Sequence, residues 1–187
     1  MAITEFTPTD KSGWIVRNSL GAYTVYTGVF TTQLTCGWND KGGRSELQKR
    51  MYLNFDTDGG IPANAVVTKV EVYTDTYALA TSGTNPGNWI NQFLMGTFIG
   101  AALDSTDWSL GSSVLYEDWT TPTNPTSEYV DLTNNAPQYY NNSGDTDIAI
   151  RDTSDYTAGQ GDWTWTGRKT KMKMRVHWHI PQVIKMM

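Results

Sequence analysis

The chain of 187 residues is short of cysteine, histidine and positive charge, with one Cys, two His and 14 Lys and Arg against 19 Asp and Glu. Each shortage removes a class of function. A single Cys36 excludes any disulfide within the chain, so the fold must be held by its core, and the thiol reads as a buried or half-buried small apolar group. A net charge of −5 lacks the basic footprint that nucleic-acid binding needs. Basic residues gather between Arg168 and Arg175, but strand alternation accounts for them better than phosphate contact does. No apolar run approaches the ~18 residues of a membrane span. The start MAITEFTPTDKSG lacks the basic end, apolar run and small-residue cleavage site of a secretory signal, so the expectation is a chain made in the cytosol without an export signal. Sustained helical periodicity is missing as well, the one convincing helical turn being Ala136 to Asn141, where Pro137 could take a first helical position.

What the chain has is aromatic and turn-forming residues. Trp and Tyr number 8 and 10, and there are 17 glycines, a mixture that suits one all-β domain with many turns. The segment from Arg50 to Tyr73, RMYLNFDTDGGIPANAVVTKVEVY, organises the rest. Met51, Leu53 and Phe55 alternate with Arg50, Tyr52 and Asn54, so an extended backbone puts an apolar face over a core. Asp56 to Pro62 then carries turn chemistry, and a β-branched strand follows from Val66. Near the end of the chain Met172, Met174, Val176, Trp178 and Ile180 fall on one strand side, and Lys171, Lys173, Arg175, His177 and His179 on the other. A one-residue slip there would bury five polar groups, so the register should be firmly fixed. Short strands are also expected at Trp14 to Val16, Tyr23 to Val29 and Trp89 to Phe98, with prolines keeping Asp118 to Ser127 a loop.

Candidate sites come with competing structural explanations. Trp38, in the polar loop GWNDKGGR, either stacks on a ligand or partner or anchors the loop. Trp163 and Trp165 in GDWTWTG share a strand face, where they form either a platform for sugar rings or an apolar partner, or part of the core. Asp56 and Asp58 beside Gly59 and Gly60 could contribute to a structural calcium site, or belong to an ordinary turn. His177 and His179 point the same way along a strand, but Lys173 and Arg175 beside them repel a cation, which favours a solvated face. The loop carboxylates, such as Asp145 with Asp147, carry no spacing that establishes a hydrolytic pair. Tyr139 and Tyr140 should split, one ring inward and one outward.

The run of an Arg, an aromatic, Leu-x-Phe-Asp, Ile-Pro-x-x-Ala and a Val-rich strand ending in Tyr resembles the central signature of jelly-roll β-sandwich modules. Such modules occur in tailed-phage virion proteins and in secreted carbohydrate-binding proteins of the DNRLRE-like type. EYVDL at 128–132, GDTDIAIRDTSDY at 144–156 and the closing strand Lys171 to Ile180 extend the likeness. The resemblance implies an antiparallel jelly-roll sandwich with long loops, and it raises the interest of calcium. With it, the expected organisation is an extended N-terminal arm over 1–12, a sandwich over 13–181 and a tail over 182–187. The expected role is non-enzymatic: a virion structural protein (head decoration or cement, fibre or tail-associated module) that contacts a major capsid or tail protein. Ile3, Phe6, Val183 and Ile184 would supply apolar interface contacts in a homo-oligomer such as a trimer. The alternative is a carbohydrate-binding module that holds a host glycan through its exposed tryptophans.

Overall fold

The computed structural model describes residues 1–28, 33–40, 46–82, 90–109, 114–120, 127–132, 136–152 and 162–182. The described residues form twelve strands, all pairs antiparallel: β1 (Ala2–Phe6), β2 (Gly13–Asn18), β3 (Tyr23–Thr27), β4 (Gln33–Asp40), β5 (Glu46–Asp56), β6 (Val66–Ser82), β7 (Ile90–Gly96), β8 (Val114–Thr120), β9 (Ser127–Asp131), β10 (Asp145–Asp152), β11 (Asp162–Arg168) and β12 (Lys173–His179). They form a β-sandwich of two sheets. The first sheet runs β1-β12-β6-β9, and the second holds β2, β3, β4, β5, β7, β8, β10 and β11. Strand β6 belongs to both. Its first part pairs with β12 and β9, and its second part pairs with β11.

The core follows from alternation. In the second sheet Leu53, Ile148 and Met95 stand opposite one another across β5, β10 and β7, and Met51, Ile150 and Phe93 make the next row. In the first sheet Phe6, Met174, Val72 and Val130 form a row across β1, β12, β6 and β9. All ten are buried in one apolar cluster. Each such side chain contributes on the order of 1.5–3 kcal/mol on removal from water, and closely opposed cross-strand pairs fix the register.

The closing strand has the expected register, with Met172, Met174 and Val176 buried. Trp178 is half-buried, its indole N–H donating to Thr4 Oγ1 at 3.0 Å. Ile180 lies past the end of β12 and is exposed. The first residues are extended, and as β1 they add an edge strand to the first sheet. Strand β8 reaches Thr120, inside the stretch expected as loop from Asp118. A short 3-10 turn occupies Ala136–Tyr139; Tyr139 and Tyr140 are both half-buried against the core instead of splitting.

Both faces of β5 are covered. Arg50, Tyr52 and Asn54, on the face away from the main core, are buried too. A second cluster of Ile15, Tyr52, Leu94, Ile99, Leu103, Trp108 and Ala149 covers that face. The segment after β7, which ends in a 3-10 turn at Ser105–Ser109, supplies three of these residues. The Arg50 guanidinium lies 4.0 Å over the Trp108 ring and donates to the Trp108 carbonyl.

Candidate functional site

The three tryptophans singled out in the sequence converge in the second sheet. Trp38 of β4 is the register partner of Trp163 on β11, and Cys36 is the partner of Trp165. On its other side Trp38 stands opposite Gln48 of β5. The residue between Cys36 and Trp38 is Gly37, whose φ of 124° lies in the range that favours glycine. Sequence spacing alone relates Trp163 to Trp165. Bringing Trp38 beside them requires the long-range β4–β11 pairing.

The glycine-rich turn at Asp56 to Pro62 is a structural joint. Asp56 accepts the Asp58 amide at 3.3 Å, and Gly59 adopts φ 61°. Buried Thr57 directs its hydroxyl at the Asn141 and Gly144 carbonyls and at Thr146 Oγ1, at 2.5, 2.6 and 2.9 Å. Asn142 clasps Ile61, accepting its N–H at 3.3 Å and donating to its carbonyl at 2.9 Å. The turn is thereby stitched to the start of β10, so two stretches that carry the family resemblance meet in space. Asp56 and Asp58 are exposed, and among the described residues no three His, Cys, Asp or Glu side chains converge on a possible ion position, whereas calcium takes roughly six to eight oxygens.

The outer face of the first sheet carries a charged network across four strands. Glu5 of β1 accepts from Lys173 Nζ at 3.2 Å and from Arg175 Nη2 at 2.8 Å. Tyr129 of β9 donates to Glu5 at 3.0 Å, accepts from Arg175 at 2.7 Å and lies under that guanidinium at 3.8 Å. Lys69 bridges Glu71 and Asp131 at 2.8 and 2.9 Å. His177 meets Glu71 at 2.6 Å, so an acid and not a second histidine is its nearest polar partner. The Arg175 hydrogen bond, followed by those of Lys173 and Tyr129, holds the Glu5 carboxyl down to a pKa of about 2. Glu71 is also lowered, Lys69 and His177 outweighing the cost of its burial.

Exposed apolar residues stand at one end of this sheet among His177 and His179. Ile3 is 54 % exposed and stands opposite His177; Val66, opposite His179, is exposed as well, as are Met1 and Ile180 nearby in the chain. Phe6, expected beside Ile3 in an interface, is instead in its own chain's core, 6.1 Å from the Tyr140 ring. Val183 and Ile184 lie outside the described residues.

Asp147 is the functional-looking acid that the structure explains differently. Fully buried, it accepts from the Phe98 and Ile99 amides at 2.7 and 2.8 Å and from Asn54 Nδ2 at 2.6 Å. Burial pushes its carboxyl up, opposed by those hydrogen bonds. It fastens the segment after β7 onto the sheet. Its neighbour Asp145 pairs with Lys11 at the rim.

No known protein-family model matches the chain, and a search of curated proteins finds no match. Among the described residues no helix is long and apolar enough to cross a membrane.

Proposed function

We propose that this protein is a non-enzymatic structural component of a bacteriophage virion, of the head-decoration, fibre or tail-associated kind, acting through protein–protein contacts. The observation that carries the reading is one end of the first sheet, where Met1, Ile3, Val66 and Ile180 are exposed beside a face whose charges are paired with one another. Exposed apolar groups at one end of a sheet suit docking on another subunit. The resemblance of Arg50 to Tyr73 and of the later segments to jelly-roll modules of phage virions points the same way, and the sandwich architecture is compatible with it. The partner is a major capsid or tail protein. The test is rebinding of purified protein to phage particles stripped of it: Ile3→Asp with Val66→Asp should lower occupancy at least tenfold. Absence of the chain from purified particles, measured by mass spectrometry, would refute the reading.

A second reading, a carbohydrate-binding module, starts from the register that sets Trp38 opposite Trp163, two residue pairs from Trp165. Tryptophan side chains are of the kind that stacks against sugar rings. Titration with polysaccharide should then show weak binding that Trp163→Ala abolishes, and an unchanged isotherm would count against it.

A further inference from the structure

We infer that the edge of β3 that no other described strand pairs is a self-pairing surface, through which two copies of this chain join their second sheets as an antiparallel β3–β3 ribbon about a two-fold axis. The inference holds whether or not the protein belongs to a virion.

The argument begins with backbone groups. In the β2–β3 hairpin the Asn18 amide donates to the Ala22 carbonyl at 3.0 Å, in register with the pairs Val16–Thr24 and Trp14–Tyr26. Antiparallel ladders alternate between pairs that exchange hydrogen bonds and pairs that do not. The phase set at Asn18–Ala22 therefore turns the N–H and C=O groups of Tyr23, Val25 and Thr27 away from β2. Among the described strands β3 pairs with β2 alone, and four of its five residues are exposed.

Edge strands that must stay single are normally blunted with charge, proline or a bulge. The sequence of β3, YTVYT, has none of these: it is β-branched and aromatic throughout. It is also complementary to itself. With the two-fold axis at Val25, Val25 meets its own copy, Tyr23 meets Thr27 and Thr24 meets Tyr26, so no like charges oppose each other, and the outward groups give about six backbone hydrogen bonds. Edge strand β1 differs in carrying Glu5, which is already engaged with Lys173 and Arg175. A second copy of the chain fits β3 because the edge offers no charge for a partner of opposite sign to recognise. Five residues bury less area than a standard interface, so weak association is expected in solution.

The test is sedimentation of the purified chain up to ~1 mM, a range set to bracket that weak association, combined with exchange rates of the backbone amides. The wild type should move toward dimer, and the Val25 amide should become protected as concentration rises. Val25→Pro removes an outward N–H and none of the β2–β3 bonds; it should weaken dimerisation at least tenfold with the fold unchanged by circular dichroism. Thr24→Lys, which adds a charge to the exposed strand, should do the same and serves if the proline variant does not fold. A wild type that stays monomeric throughout, or a dimer that survives Thr24→Lys with Val25 unprotected, overturns the inference. Loss of particle binding in Ile3→Asp with Val66→Asp tests the exposed apolar residues of the other sheet and leaves this outcome untouched.

Discussion

Asn54 and Asp147 face each other across β5 and β10, the Asn54 amide donating to the carboxylate at 2.6 Å on the side of the sheet away from the main core. The other carboxylate oxygen receives two backbone amides from the segment after β7. Asp147→Asn turns a double acceptor toward three donors into a group that carries an N–H₂ of its own. The variant should lose about 2–4 kcal/mol, as expected when buried donors lose their acceptor, measured by urea unfolding. Amides of residues 98 and 99 should exchange faster while those of β12 keep their protection.

The same carboxyl sets a pH dependence of one sign and Glu5 one of the other. Asp147 has a folded-state pKa above the ordinary value, so the native state holds its proton more tightly than the unfolded chain, and its contribution to stability falls as pH rises through that range. Glu5 is held down to about 2. Its contribution is complete above the ordinary carboxylate value of 4.5 and is lost as pH falls toward 2. The Glu5 side chain is partly exposed, so the benefit should shrink with added salt. Carboxyl titration by NMR checks both directions, and Arg175→Ala, which removes the largest of the causes, should raise the Glu5 pKa from about 2 toward its ordinary value.

Gly13 leaves no room for a side chain. A Cβ there would lie 2.1 Å from the Tyr26 carbonyl oxygen and 2.9 Å from Leu103. Because the first clash is with backbone, Gly13→Ala must push β3 off β2. A loss of about 2–4 kcal/mol is expected, in the upper part of the range for single substitutions. Unfolding with the same midpoint as wild type would show that the hairpin is not packed as described.

Cys36 is fully buried, its thiol 3.3 Å from the Ile150 carbonyl. A thiol shielded in this way should react with a disulfide reagent only after unfolding. Labelling in native buffer should be at least a hundredfold slower than in denaturant. Rapid native labelling would mean that the edge between β4 and β10 opens.

Much of the fold was legible because alternation is a local property. Met51, Leu53 and Phe55, and later Met174 and Val176, mark buried strand faces without any knowledge of their partners. Burial of Arg50, Tyr52 and Asn54 was not legible, since polar side chains on a strand read as solvated until something covers them. The cover comes from Ile99, Leu103 and Trp108, far along the chain; the apolar residues just after β7 were the available signal. Ile3 and Phe6 show the converse. Both read as apolar contacts of one segment in the sequence, yet three residues of extended chain put them on opposite faces, one outside and one in the core. The tryptophan cluster was half legible: two members share a spacing, and the third arrives only through pairing of β4 with β11.

Ala2 and Trp178 are partners at the outer end of the β1–β12 pair. A load applied through residues 1 and 180 would therefore pull at right angles to these strands and open their hydrogen bonds one after another, as a zipper opens. A load entering through the β3 edge and leaving through β1 runs instead by way of β2 and the covalent chain of residues 7–12, which is tied to β5 by the Thr9 amide on the Asn54 carbonyl, and leaves the β1–β12 bonds out of its path. The molecule should be soft in the first direction and stiff in the second.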